Sequence, residues 1–183
     1  MTSESPSMNP AEMGYMTLIT GLLDAMEELN GVDITEEMMC TNGKRQGENI
    51  GRKIGANKDP QTAVKEFIEY IKPYYDIELK KQSVTESVHR ADIQFKDCMI
   101  KKLCKNCGIH AKKPLCLSIH SLFEGALSAM TGMNVEVNMP GSGYANSSCE
   151  VTVEFRPKND KFQFLESAIS IVRTSLKNSI VIK

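Results

Sequence analysis

Residues 98–120 read CMIKKLCKNCGIHAKKPLCLSIH and hold four of the chain's six cysteines and two of its three histidines. Cys104 and Cys107 form a C-x2-C pair, and His110 follows three residues on. Such a turn lets two thiolates reach one ion and is half of a structural zinc site. The same spacing also serves a redox dithiol. Cys116 and His120 are four apart, so on a helix they share a face and could chelate; the plain alternative is a buried thiol and a hydrogen-bonded imidazole. Cys149, at the head of a strand, is a plausible further thiolate. Cys98 and Cys40 read as core or partly exposed thiols, and His89 has no obvious carboxylate partner in the sequence. Lys101, Lys102, Lys105, Lys112 and Lys113 would favour thiolates near them, or else form a solvated basic face.

Catalytic signatures are missing from the sequence. There is no nucleophile elbow and no Walker loop, so a binding domain is the first reading and whether any reaction is catalysed stays open. A net charge of −1 gives no global attraction to nucleic acid or to an anionic membrane. No apolar run approaches the ~18–20 residues that a membrane helix needs. The start, MTSESPSMNPAEMG, has neither the basic nor the apolar region of a secretory signal. A cytoplasmic, reducing setting is therefore expected, which disfavours a disulfide framework.

The elements that must position these residues follow from periodicity. Residues 1–8 read as a disordered tail, and 9–183 as a single domain. Asn9-Pro10-Ala11-Glu12 reads as a helix start, with a capping residue, a proline suited to the first turn and an acid able to complete a capping box. Tyr15, Leu18, Ile19, Leu22, Met26 and Leu29 follow at helical spacing up to a stop at Gly31. This 10–30 face could pack on the domain or on a second subunit, and a homodimer is expected. Gly43, Gly47, Gly51 and Gly55 recur every fourth residue. On a helix they make one narrow stripe, which asks either for close packing of another element or for ligand contact.

Asp59-Pro60 opens a helix with Ala63, Val64, Phe67, Ile68 and Ile71 on one face, ended by Pro73. Two strands are predicted over about 75–81 and 86–97, the second with a slip near Ala91. Pro114 starts a helix with Leu115, Ile119, Leu122, Phe123, Ala126, Leu127 and Met130 as its stripe, closed by Gly132. NVEVNM and CEVTVEF alternate as strands about the turn-rich PGSGYANSS. A last helix is expected after Asn159-Asp160, carrying Phe162, Leu165, Ile169, Val172 and Leu176. This order of helices and hairpins gives an α+β domain with an antiparallel sheet.

The run from Lys113 to Phe155 resembles the 4-vinyl reductase domain family. Pro114, Cys116, Phe123-Glu124-Gly125, Gly132, Val135-Glu136-Val137 and Cys149-Glu150 match its pattern in order. GENIGRKIG looks like the glycine-stepped helix near that family's start. The resemblance spans about residues 40–156 and is most specific over 114–155. It implies an α+β fold shared with small-molecule sensor domains and trafficking-complex subunits. It also implies an affinity for hydrocarbon-like ligands, as described for archaeal stand-alone members. In the family's metal-bearing members, zinc is held through cysteines matching Cys116 and Cys149, with a further Cys and an acid in the loop before the last strand. Here that loop, NMPGSGYANSS, has neither. Either the site is lost, or Cys104 and Cys107 replace the missing ligands.

The resulting expectation is an apolar-ligand-binding domain with one zinc held by Cys104, Cys107, Cys116 and Cys149, and with His110 and His120 in reserve. The ligand pocket is expected among Phe67, Tyr70, Phe95, Phe123 and Leu127. An iron–sulfur redox protein or reductase on the same cysteines and a non-catalytic dimeric interaction module are the alternatives.

Overall fold

The computed structural model describes residues 10–85, 88–98, 100–101, 113–138 and 149–158. Three helices come first: α1 (Pro10–Asn30), α2 (Val32–Ile54) and α3 (Pro60–Ile71). The strands β1 (Asp76–Val84) and β2 (His89–Asp97) follow, then helix α4 (Lys113–Thr131), then β3 (Asn134–Asn138) and β4 (Cys149–Arg156). The last predicted helix, beyond Asn159, lies outside the described residues, as do the tail before Pro10 and the PGSGYANSS turn.

The four strands form one antiparallel sheet in the order β1-β2-β4-β3. α4 carries the chain from β2 to the far edge, and β4 returns between them. Period-2 patterning decides the two faces. His89, Ala91, Ile93 and Phe95 of β2 and Val151, Val153 and Phe155 of β4 are buried on the inner face. The outer face is polar: Asp92 accepts from Thr152 Oγ1 at 2.9 Å and from Arg90 Nε at 3.1 Å. The expected slip lies in β1 rather than β2. Register shifts between Leu79 and Lys81, while Val88 precedes β2, so Ala91, Ile93 and Phe95 alternate without interruption.

α3 forms as its sequence dictates. Asp59 caps it, accepting from the Thr62 amide at 3.0 Å, and these hydrogen bonds hold the Asp59 carboxyl below its ordinary pKa. Its predicted face is buried in full, and Phe67 meets Phe123 of α4 edge-on, with centroids 4.8 Å apart. Phe95 lies 5.7 Å from the same ring. The core is thus the layer between the sheet's inner face and the pair α3 and α4.

Gly31 ends α1, but the helix resumes one residue later. Its φ of +81° is open to glycine with little strain, and Thr35 returns a hydrogen bond from Oγ1 to the Gly31 carbonyl at 2.9 Å. The stripe on α2 is answered by α4. Gly43 faces Ser118, Gly47 faces Leu122 and Gly51 faces Ala126, so the two helices run parallel with their backbones in close approach. Gly125 is the reciprocal notch on α4, against the Lys44 carbonyl. Close packing is therefore the role of these four glycines. Gly55 stands apart as the C-cap of α2.

Glu124 ties α4 to the edge strand. Its Oε1 accepts from the Val137 amide at 3.1 Å. Burial pushes its pKa above the ordinary 4.5, assisted by Glu136 and opposed by the Val137 amide and Lys44. The folded value exceeds the unfolded one, so the fold favours the protonated acid. That contribution is complete below the ordinary value and is lost as pH rises through the raised one. Glu124→Gln, which keeps an acceptor without the charge, should flatten this fall in a pH series of thermal melts. Glu124→Ala should cost about 1–3 kcal/mol, because it strands the Val137 amide.

Candidate functional site

The described residues line a half-open cavity where the sheet meets the first turns of α4. The helix contributes Cys116, Ile119 and His120, which share a face because they are three and four apart. The sheet contributes Phe95, Val151 and Cys149. Cys149 starts β4 directly opposite Phe95, which brings them together. Tyr75, just ahead of β1, stacks edge-on against Phe95 with centroids 6.1 Å apart. Cys98 and Ile100, just past β2, also line it.

Carbon and sulfur line this space almost throughout. Burial lowers the His120 pKa, so its imidazole is held neutral. Burial pushes the Cys149 thiol up, Cys98 and Glu150 add to this, and Lys101 opposes it. The Tyr75 phenol is pushed up by burial as well. The cavity is therefore an uncharged apolar site with polarisable sulfur on its walls and the His120 ring as a polar feature. Its volume is about 30 Å³, on the order of one or two waters.

The sequence-predicted residues divide. Cys116, Cys149 and His120 come together here, although 33 residues separate the two cysteines. Cys98, read as a core or partly exposed thiol, joins them. Cys104, Cys107 and His110 lie outside the described residues. Cys40 is partly buried on α2, and none of Cys40, Cys98, Cys116 and Cys149 is in a disulfide. Among the described residues, no three His, Cys, Asp or Glu side chains converge closely enough to hold a metal ion. A metal at Cys116 and Cys149 would therefore need further ligands from outside the described residues, where Cys104, Cys107 and His110 lie.

Of the five residues expected to line a ligand pocket, Phe95 borders this cavity. Phe67, Phe123 and Leu127 pack against one another and the sheet in the core behind it. Tyr70 is 42 % exposed and borders a shallow outer groove beside Ile54, Lys65, Glu66 and Glu69. Tyr75, Ile100, Ile119 and Val151 line the cavity without having been singled out for it. Alternation marked Val151 as inward-facing and helical spacing marked Ile119, but neither signal reports where packing leaves a gap.

His89 finds its partner within the sheet: its Nε2 donates to Gln82 Oε1 at 2.8 Å and its ring meets Phe155 edge-on. Among the described residues, no helix is long and apolar enough to cross a membrane.

No family model matches the chain, and no curated protein matches it by sequence. Solved structures do match. The chain is similar to the phenol-responsive sensory domain of the transcription activator PoxR in complex with phenol. The TM-score is 0.52 and the identity 12 %, covering 85 % of this chain and 79 % of that one. It is also similar to trafficking protein particle complex subunit 3 from Naegleria fowleri, covalently bound to palmitic acid. There the TM-score is 0.46 and the identity 18 %, covering 80 % of this chain and 93 % of that one. At 12 % identity the likeness to the sensory domain bears on the fold alone, an α+β arrangement of helices on an antiparallel sheet. That fold is compatible with the one implied by the 4-vinyl reductase resemblance.

Proposed function

We propose that this chain is a small-molecule-binding domain whose ligand is apolar and compact, most simply a substituted aromatic, held between α4 and the ends of β2 and β4. The observation that carries the reading is the uncharged, carbon- and sulfur-lined cavity at this position, with Phe95, Ile119 and Val151 as walls and neutral His120 available for one hydrogen bond. Apolar pockets with a few placed polar groups are the common form of small-ligand sites. The shared fold with a phenol-responsive sensory domain supports the same reading. At about 30 Å³ the cavity must widen to admit a ring, since a void near 150 Å³ is the scale that takes up benzene.

Phenol is the probe. A ligand that binds the native state alone raises its stability, so phenol should raise the melting temperature of the full chain. Ile119→Phe, which fills the cavity, should remove that rise while leaving the fold intact. No rise in the parent chain at near-saturating phenol, or an equal rise in Ile119→Phe, would overturn the reading.

The convergence of Cys116 and Cys149 on one cavity supports a second feature, a structural metal. Cys116 and Cys149, joined by Cys104 and Cys107, would hold it, and zinc bound by four thiolates would cross-link distant segments of the chain. Binding would also supply the positive charge that the buried Cys149 thiol needs to ionise. Elemental analysis of the same preparation reads this directly, with one metal per chain expected.

A further inference from the structure

Tyr75 is the bulky cavity wall that is least held in place. Ile119 and His120 stand on α4, and Phe95 and Val151 on the sheet, so packed elements fix them. Ile100 is 5 % exposed and anchored in the interior. Tyr75 stands between elements, in the turn from α3 to β1, and its side chain is only partly buried. Its amide donates to the Ile71 carbonyl at 3.1 Å, which pins the backbone and leaves the ring to turn about χ1. That ring meets Phe95 edge-on with centroids 6.1 Å apart, against 4.8 Å for the core pair Phe67 and Phe123.

The Tyr75 side chain is itself a para-substituted phenol. Burial is the one cause that raises its pKa, and among the described residues no hydrogen bond reaches its hydroxyl. Fully buried side-chain oxygens and nitrogens of the described residues all have partners, so this hydroxyl meets water at the mouth of the half-open cavity. The cavity thus already carries a phenol ring at its edge and lacks room for a second. About 30 Å³ remains, against the ~150 Å³ that takes up benzene. Turning the Tyr75 ring into solvent vacates a space of the ligand's own size and shape. It shifts no helix or strand and breaks no hydrogen bond of the hydroxyl.

We propose that Tyr75 is the gate of the ligand cavity, its ring standing in part of the place that a phenolic ligand takes and swinging outward to admit it. This rests on the ligand reading above. Affinity for a site that is open part of the time falls in proportion to the open fraction, and minor states commonly hold about 0.1–10 % of a protein. A phenol titration of the full chain, followed on the Ile119 methyl signal, reads the effect. Tyr75→Ala and Tyr75→Leu leave no ring to swing and should bind phenol about tenfold more tightly than the parent. Tyr75→Phe keeps the ring and should bind as the parent does. A ring that merely lines the site would act with the opposite sign, because its loss removes contacts. Phenol binding equal to the parent's or weaker, in either ring-less variant that keeps the parent's far-UV circular dichroism, would therefore overturn the gate and leave the ligand reading standing. A parent chain that binds no phenol would overturn the ligand reading and the gate with it.

Discussion

Gly47→Ala should destabilise the domain by about 3 kcal/mol, the upper range for overpacking a tight interior. A Cβ at residue 47 would sit 2.8 Å from the Leu122 carbonyl carbon and 2.9 Å from the Ala126 amide nitrogen. Both are backbone atoms of α4, so no rotamer change relieves the clash and the helices must move apart. Separation would strip contacts from Gly43 to Gly51 along the whole α2–α4 seam. Alanine's better helix propensity returns only ~1 kcal/mol. Gln46→Ala, on the exposed side of the same helix, should stay within ~0.5 kcal/mol. Denaturant melts of the three chains read the difference, and a Gly47→Ala chain as stable as the parent would mean the helices are not packed this closely.

Phe123→Ala should cost about 3–5 kcal/mol, as is typical of aromatic truncation in a core. Phe123 is 1 % exposed and touches both Phe67 and Phe95, so it links α3, α4 and the sheet in one cluster. Its loss removes two aromatic contacts and leaves a void that the surrounding backbone cannot fill. Because Phe95 is also a cavity wall, the damage should reach the candidate site. The variant should melt at a markedly lower temperature and lose its response to phenol. A melting temperature near that of the parent would place the core elsewhere.

These residues show what was readable from the chain alone. Asp59-Pro60 and the spacing of Ala63, Val64, Phe67, Ile68 and Ile71 determine α3 locally, because cap chemistry and a one-sided apolar face act within a few residues. The glycine stripe announced a close neighbour but not which one. The partner helix lies some seventy residues later, and periodicity carries no information about pairing over that distance. The bulge at Lys80 escaped because one unpaired residue in β1 shifts the apparent alternation and invites a slip to be assigned to β2 instead.

The cavity was the least legible feature. Aromatic side chains are the natural guess for a pocket, but packing uses the largest apolar groups to fill the centre, so Phe67, Phe123 and Leu127 close on one another. Space remains at the end of the sheet, where smaller walls such as Cys116, Ile119, Cys149 and Val151 meet. Tyr70 lies at the margin of α3's buried face, about a quarter turn from its centre, and is left largely in solvent. Cys116 and Cys149, paired in the sequence reading, do line the same cavity.

The central claim is that this cavity opens to admit an apolar ring. Methyl-resolved NMR of the full chain, with isoleucine and valine labelled and phenol titrated in, addresses it most directly. The methyls of Ile100, Ile119 and Val151 should shift together and saturate, while those of Ile54 and Val84 on the outer surface stay in place. Shifts absent from the first group, or centred on Ile54 beside the outer groove at Tyr70, would contradict the account.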